Sequence, residues 1–486
     1  MTPARPWPLI AHDPALVALQ GLARRQGARV WLTGGTLRDL LLGLAPPDLD
    51  LSTDGDALAL GRALAQALGR PFVPLKEALA TCRVVLEQGH LDLVGLRAPG
   101  LEADLRRRDF TVNALAAPLA GVLAGRAAIK DPTGGLADLG ARRLRLAGPG
   151  VLSDDPLRVL RAYRFLASHG LSLAPGLEQD LAAAAPGLFR VARERIAQEW
   201  RKLMAAPAAA PAVWAMERGQ VLTRLMPELA MGRGVLQNPF HHLDVLEHNL
   251  ATLAHLEELA AGGGVYAGSL LLQEASAYLA GQNARAQLKT AALLHDLGKP
   301  ATRRPKAPGW ATFHRHDLVG AGLAGQAARR LGLSKAEAGH IASLVAGHMR
   351  PFHLLGAATR GGLSRRAVRR LLVACGQHLP GVFLLGLADT MAGRGPMRPA
   401  EAEERLLALY GQVAELRDRE LAQALAAPPL LDGHQLMAGL SLEPGPEVGR
   451  LLGLLREAQL DGLVDTPQAA LALARRLIRP PRLGRR

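Results

Sequence analysis

Asp48 and Asp50 stand one residue apart in "DLDLS", shortly after a Gly34-Gly35 pair and Arg38, in the stretch "VWLTGGTLRDLLLGLAPPDLDLS". Carboxylates this close repel each other unless a cation lies between them. Backbone N–H groups at a glycine turn that opens a helix form a cradle for an anion. A phosphate cradle beside paired carboxylates points to Mg2+-assisted transfer on a nucleoside triphosphate. Either motif alone reads as well as a plain glycine turn or an exposed acidic loop; their order and spacing favour the chemical reading.

The elements that must position these groups follow from local pattern. Val30-Trp31-Leu32 is short, apolar and β-leaning, and the glycines end it. Thr36 to Leu42 fits a helix, closed by Gly43 and stopped by Pro46-Pro47. Alternation in "DLDLS" places Asp48 and Asp50 on one face of a second strand. "CRVVLE" and "HLDLVGLR", joined by Gln88-Gly89, predict a hairpin carrying Asp92. Asp92 is then either a solvent-facing strand residue or a third carboxylate facing the first two, and three carboxylates suffice for two Mg2+ ions.

Two further segments carry charge in patterned form. "RRRDFTVNALA" offers Arg107, Arg108, Asp109 and Asn113; the arginines suit phosphate or sugar, and Asp109 can orient them or accept from a ribose hydroxyl. After the turn-rich "DPTGGLADL" comes "LSDDPLRVLRAYRF", with Arg161 in its second half. Here Asp154 or Asp155 is expected to cap a helix with Pro156 in its first turn, and Arg158 to share a helical face with the acid. That is an intrahelical ion pair on its plainest reading. A carboxylate beside an arginine fork also complements the amino-plus-acceptor edges of cytosine and adenine, and mismatches guanine and uracil.

Taken in order, "GGTLRD…DLDLS", "RRRDFTVNALA", "DPTGG…DL" and "DDPLRVLRAYRF" resemble the bacterial tRNA nucleotidyltransferase/poly(A) polymerase family, over residues 28 to about 205. "ARERIAQEWRKLM" resembles that family's next helical motif. The resemblance implies an α+β fold: a polymerase-β-type head with a small mixed sheet, then an all-α body. It implies that Asp48 and Asp50 bind the catalytic metals, that Arg107 to Asp109 contact the nucleotide, and that Asp155 with Arg158 read the base. Gly34, Gly35, Arg38, Asn113 and Arg161 fall in the same nucleotide-binding motifs.

Histidines cluster after residue 240: "FHHLDVLEHNL" supplies His248, "ALLHDLGKP" supplies His295-Asp296, and "LLGLADTMAGRG" supplies Asp389. A lone histidine on a helix is ordinarily structural. A His-Asp doublet on an apolar helix, with further His and Asp on flanking apolar helices, demands partners or a metal. The pattern resembles the HD phosphohydrolase domain, which implies His248, His295, Asp296 and Asp389 as ligands of a divalent transition metal. His316 and His348 fall where binuclear members carry extra ligands, and Lys299 is placed to hold a phosphate. The stretch after it, "LLDGHQLMAGLSLEPGPEVGRLLGLLREAQLDG", looks like a tRNA-contacting tail, and the basic end "ARRLIRPPRLGRR" suits that role.

Length and composition agree with this plan. The chain has 486 residues and a net charge of +15, which favours a polyanionic partner. Cys82 and Cys375 are the only cysteines, too few for a disulfide framework or thiolate metal site. The N-terminus lacks a signal-peptide core and no apolar run spans a bilayer, so a cytoplasmic location is expected. The expected domains are a head at 1–150, a base-reading helical neck at 151–230, an HD domain at 231–395 and a tail at 396–486.

The family resemblance also bears on which nucleotides are added. Members that build the whole CCA end carry a longer loop between the third carboxylate's strand and the Arg-rich motif. Here only "APGLEADLR" runs from Arg97 to Arg107. This resembles CC-adding members, which use CTP and stop after two cytidines; a full CCA-adding enzyme would use CTP and ATP. A poly(A) polymerase, or a phosphohydrolase with a tRNA-binding head, fits the pattern less well.

Overall fold

The computed structural model describes residues 7–76, 80–307, 310–421, 427–460 and 463–478. The chain divides into two compact units, Met1–Pro227 and Glu228–Arg486. Residues 1–6 of the N-terminal segment and 479–486 of the basic end lie outside the described residues.

The first unit is built on a six-stranded mixed sheet of order β3-β4-β5-β2-β1-β6. Its strands are β1 (Val30–Thr33), β2 (Leu49–Thr53), β3 (Phe72–Lys76), β4 (Thr81–Val85), β5 (His90–Gly95) and β6 (Ala116–Pro118). Only β2 and β5 pair in parallel, with Asp50 directly opposite Asp92. The expected hairpin is β4–β5, with Arg83 opposite Asp92. Its turn residue Gly89 has φ +72°, and a Cβ there would lie 2.1 Å from the Pro47 carbonyl oxygen, so only glycine lets the turn pass over the start of β2. Helices α1 (Pro14–Arg25) and α3 (Ala57–Leu68) cover the sheet with Leu16, Leu19, Leu60 and Leu64, which bury against Leu32, Leu51, Val84, Leu91 and Leu93. Helix α2 (Gly34–Leu41) begins at the glycines rather than at Thr36.

The Arg97–Arg107 connection folds as a short helix, α4 (Leu101–Arg106). Asp104 of α4 is buried and accepts from the Arg97 backbone N–H at 2.9 Å, which pins the connection to the end of β5. Two short strands, β7 (Arg143–Leu144) and β8 (Ser172–Leu173), pair in parallel beyond it. The unit ends in helices that include α5 (Arg158–His169) and α6 (Arg193–Ala205).

The capping expectation holds at Asp155 and not at Asp154. A short helix, Val151–Asp154, ends at Asp154, and Asp155 is extended (φ −148°, ψ 97°), with its Oδ1 accepting from the Leu157 N–H at 3.3 Å just before α5 begins at Arg158. Pro156 favours this backbone, because its ring disfavours a helical conformation in the preceding residue. The expected ion pair between Asp155 and Arg158 is absent among the described residues.

The second unit is helical, with one exception to the all-α expectation: an antiparallel hairpin, β9 (Arg303–Ala307) with β10 (Trp310–Phe313). Its central helices are α7 (Val245–Ala260), α8 (Ala284–Leu294), α9 (His316–Arg330), α10 (Lys335–Gly347) and α11 (Leu379–Ala392). The stretch Arg365–Ala392 has the length and apolarity of a bilayer span by composition alone, but it is not one continuous helix. It consists of helix Arg365–Cys375, a 3-10 turn and α11, and Val382 to Leu387 of α11 are buried inside the unit. The tail packs α12 (Gly433–Leu440), α13 (Pro446–Leu460) and α14 (Pro467–Leu477) around Leu436, Leu451, Ala470 and Ala474.

Candidate functional site

In the first unit the Gly34-Gly35 turn opens α2 beside Asp50. The Gly35 N–H donates to Asp50 Oδ2 at 2.9 Å. Gly34 adopts φ +62°, and a Cβ there would sit 3.1 Å from Asp50 Oδ2 and 3.2 Å from Arg108 Nη1. The space between that carboxylate and that guanidinium is thus kept open by the missing side chain. Arg108 Nη2 donates to Ser52 Oγ at 2.9 Å, which holds the guanidinium over β2.

The three carboxylates differ in their surroundings. Asp48 lies just before β2 rather than on it, is part-exposed, and pairs with His90 Nδ1 at 2.7 Å. Asp92 is clamped by Arg83, whose Nε and Nη2 donate to its two oxygens at 2.8 and 2.9 Å. Among the described residues no cationic side chain forms an ion pair with Asp50. Burial, and then the charge of Asp92, push its carboxyl above the usual range, against the Gly35 hydrogen bond. A half-buried carboxylate with a neighbouring carboxylate and, among the described residues, no ion-pair partner fits a divalent cation.

Asp109 is not an open acceptor. It is buried and takes hydrogen bonds from the Phe110 N–H (2.8 Å), Asn113 Nδ2 (2.9 Å) and Arg161 Nε (2.9 Å). Despite its burial, Arg161 and these donors hold its carboxyl far below the usual range. Asn113 Oδ1 in turn accepts from Arg38 Nη1 at 2.8 Å. Arg161 and Arg164 reach the buried Glu199 of α6, the latter at 2.6 Å. One polar chain thus runs from α2 through the Arg-rich segment to α5 and α6. Arg107 contributes its carbonyl oxygen, which accepts from Arg158 Nη2 at 3.3 Å.

Asp155 and Arg158 lie near each other but are not paired. Asp155 Oδ2 accepts from Arg195 Nη2 at 2.7 Å, and Arg158 Nη1 donates to the Val151 carbonyl at 2.9 Å. Arg195 and Glu199 were not singled out from the sequence, although both lie in "ARERIAQEWRKLM" at i, i+4, where one helical face presents both.

In the second unit, α7, α8, α9, α10 and α11 bring His248, His295-Asp296, His316, His348 and Asp389 to one buried centre. The doublet sits in the turn just after α8, not within it. His248 Nε2 lies 2.9 Å from Asp389 Oδ1 and 3.7 Å from Asp296 Oδ2. His295 Nε2 lies 3.2 Å from Asp296 Oδ2 and 3.8 Å from Asp389 Oδ1. On the other side of Asp296, His316 Nε2 is 3.3 Å and His348 Nε2 3.8 Å from Oδ1. Ligating atoms in groups of three fall within 4.8 Å of each other, and Asp296 belongs to two of the groups.

Three of these histidines are oriented by the backbone. The Nδ1 atoms of His295, His316 and His348 lie 2.9, 2.8 and 2.6 Å from the carbonyl oxygens of Ala292, Phe313 and Val345, aiming each Nε2 inward. Within the centre, His295 Nε2 and Asp296 Oδ1 are buried without a hydrogen-bond partner, while Asp296 Oδ2 meets the Lys299 ammonium. Burial opposes charge on His295, yet Asp296 and Asp389 raise it to about 10, a proton standing where a cation would. Buried unsatisfied N and O donors around a shared carboxylate fit divalent ions at two neighbouring positions. Lys299 Nζ is 2.5 Å from Asp296 Oδ2 and donates to Gln237 Oε1 at 2.6 Å. His241 joins the group with His248 and Asp389, and burial followed by the Lys299 charge drives it down to about 2. Its signal was the doubled histidine of "FHHLD", which was passed over for His248 further along the same stretch.

Comparison with known proteins agrees with both centres. Residues 30–145 match the poly A polymerase head domain, residues 170–232 the probable RNA and SrmB-binding site of polymerase A, and residues 245–379 the HD domain. The chain is 38% identical to an A-adding tRNA nucleotidyltransferase of Deinococcus radiodurans, over 92% of this chain and 94% of that one. It is 34% identical to a CC-adding tRNA nucleotidyltransferase of Thermus thermophilus, over 90% and 91%. In fold it is similar to the Thermotoga maritima CCA-adding enzyme complexed with tRNA, with a TM-score of 0.57 at 18% identity, covering 96% of this chain and 97% of that one. A head sheet with paired aspartates and a histidine-aspartate centre, matched over nine-tenths of the chain, place the protein in the tRNA nucleotidyltransferase family, with an HD domain in its second half.

Proposed function

We propose that the protein adds part of the CCA end to tRNA without a template, and that the part is the two cytidines, from CTP. The observation that carries this reading is the pinned connection α4. A switch from cytosine to the larger adenine needs the base-reading groups to shift once the primer ends in CC. A connection of one short helix, anchored by Asp104 to the Arg97 N–H, has no slack to drive that shift. A second reading, addition of the terminal A alone, is favoured by the name of the Deinococcus relative.

In this reading Asp48, Asp50 and Asp92 hold magnesium, and Gly34, Gly35, Arg38 and Arg108 receive the triphosphate. Magnesium, when bound, supplies activation of the tRNA 3′-hydroxyl and neutralises charge on the triphosphate. Asp109, with Asn113 and Arg161, fixes the neck against the head so that Arg107, Asp155 and Arg158 meet the nucleotide. The centre around Asp296 is a metal-dependent phosphohydrolase, with Lys299 on the substrate phosphate; divalent ions there supply Lewis-acid polarisation and an acidified water. A cytoplasmic location follows from this work on tRNA.

Two substrates separate the readings: tRNA ending at its discriminator base and tRNA already ending in CC, each given CTP, ATP or both, with the products sequenced. The first should gain two cytidines and stop, and the second should gain nothing. AMP added to the CC-ending tRNA, with no C added to the first, establishes the A-adding reading. Addition of all three residues establishes a full CCA-adding enzyme.

Base choice gives another expected outcome. Asp155→Ala or Arg158→Ala should admit UTP and GTP, with discrimination falling by about 1–3 kcal/mol for a lost charge-assisted contact. Steady-state kinetics with all four nucleotides measures it. Unchanged ratios would make the pair purely structural.

A further inference from the structure

The hairpin β9–β10 joins the two sides of the HD centre. Lys299, just before β9, contacts Asp296, and its Nζ lies 5.8 Å from the Phe313 ring centroid. Phe313 ends β10, and His316 Nδ1 lies 2.8 Å from its carbonyl oxygen. The inner end of the hairpin is therefore fixed to the metal-binding groups. Its outer part is unlike the rest of that centre.

All five residues of β9 are exposed, including Arg303, Arg304 and Lys306, and among the described residues none of these cations is within ion-pair distance of a carboxylate. Alternation and register put Arg304, opposite Thr312, on the face away from the buried Ala311 and Phe313. Lys306 lies over the half-buried Trp310, 4.8 Å from its ring centroid. Unpaired cations cost solubility nothing, but a cationic strand carrying an aromatic ring, rooted at a phosphate-hydrolysing centre, has a chemical partner. Cations spaced along a strand track a phosphodiester backbone, and an aromatic ring at its side offers a stacking platform for a base. An acidic peptide would use the charges and leave the ring without purpose.

We propose that β9–β10 is the recruiting surface of the HD centre for single-stranded RNA, feeding a 3′-terminal phosphate to Asp296 and its histidines. This rests on the phosphohydrolase reading of that centre. The step it serves is hydrolysis: water attacks the terminal phosphorus, the P–O bond to the 3′ oxygen breaks, and a 3′-hydroxyl and inorganic phosphate result.

The test uses the full chain and two variants outside the metal-binding groups, the double Arg304→Glu with Lys306→Glu, and Trp310→Ala. A short RNA ending in a 3′-phosphate and p-nitrophenyl phosphate are hydrolysed under the same divalent ion. KM for the RNA should rise about tenfold in either variant, while kcat and hydrolysis of the small ester stay unchanged. Equal loss on both substrates, or loss on neither, overturns the proposal. A second readout does not need hydrolysis: RNA carrying 4-thiouridine near its 3′ end should crosslink to residues 303–313, located by mass spectrometry. Crosslinks there from a chain that hydrolyses no ester would reject the phosphohydrolase reading and keep the RNA surface. Crosslinks only elsewhere, or crosslinks at 303–313 abolished by polyglutamate of equal charge concentration, overturn the RNA surface itself.

Discussion

Asp50→Asn should abolish nucleotide addition and leave the protein at least as stable as the wild type. Asparagine keeps the volume and an oxygen for the Gly35 N–H, which donates to Asp50 Oδ2 at 2.9 Å. What it removes is a half-buried negative charge that burial and the neighbouring Asp92 both disfavour. A carboxylate retained for packing would give the opposite pattern, with stability lost and chemistry spared. Groups that only orient a metal's ligands cost about 10–100-fold when removed, so a ligand itself should cost more than about 10²-fold in kcat. Addition assays on tRNA and a thermal melt measure the two sides. Asp48→Ala should share the loss of activity, though its partner His90 and its exposure make a rise in stability unnecessary. Addition near the wild-type rate in Asp50→Asn would remove the carboxylate from the reaction.

Short-range pattern fixed the strand-turn-helix around Gly34-Gly35, because glycine and alternation act over a few residues. It also placed Asp92 on a hairpin, although the parallel pairing that sets it opposite Asp50 is a property of the whole sheet. At "SDDPLR" the local rules agree: Pro156 keeps Asp155 extended, which is the backbone an N-cap needs, and Asp155 Oδ1 accepts from the Leu157 N–H at 3.3 Å. The expected ion pair with Arg158 is what failed, because Asp155 is taken by Arg195.

Long-range partners were the hardest to see. Arg195 and Asp155 are separated by 40 residues, and no spacing rule connects them. Asp109 was expected to orient the neighbouring arginines or accept from a ribose hydroxyl, and the arginine it holds is Arg161, 52 residues away. The second centre was legible because the residues that could hold its metal are histidines and aspartates on or beside otherwise apolar helices, where an uncompensated polar group stands out. His241 lies outside such a helix, before α7, and went unread. The hairpin β9–β10 escaped for the same reason in reverse: its strand is exposed and charged, and the period-2 apolar signal is confined to Ala311 and Phe313.

Asp296→Asn should empty both metal positions of the second unit at once, whereas loss of a histidine should empty only one. Asp296 Oδ2 faces His248 and His295, and Oδ1 faces His316 and His348. It is the one residue common to the two groups that flank it. Asparagine keeps an oxygen but drops the charge, and a neutral amide cannot bridge two divalent ions. The expected fall in affinity is more than about 10²-fold, with hydrolysis of any phosphate ester lost in proportion. His316→Ala should instead leave the ion held by His248, His295, Asp296 and Asp389. Metal content per chain, measured after chelation and re-addition of a single divalent ion, therefore descends in steps from the wild type through His316→Ala to Asp296→Asn. Lys299 loses its carboxylate in Asp296→Asn but keeps Gln237 at 2.6 Å, so the fold should survive for the measurement. The head has its own core in the other unit, and nucleotide addition should be unchanged in both variants. An unchanged metal content in Asp296→Asn, or a wild-type chain that takes up no divalent ion, would show that the buried cluster is held together by its own protons.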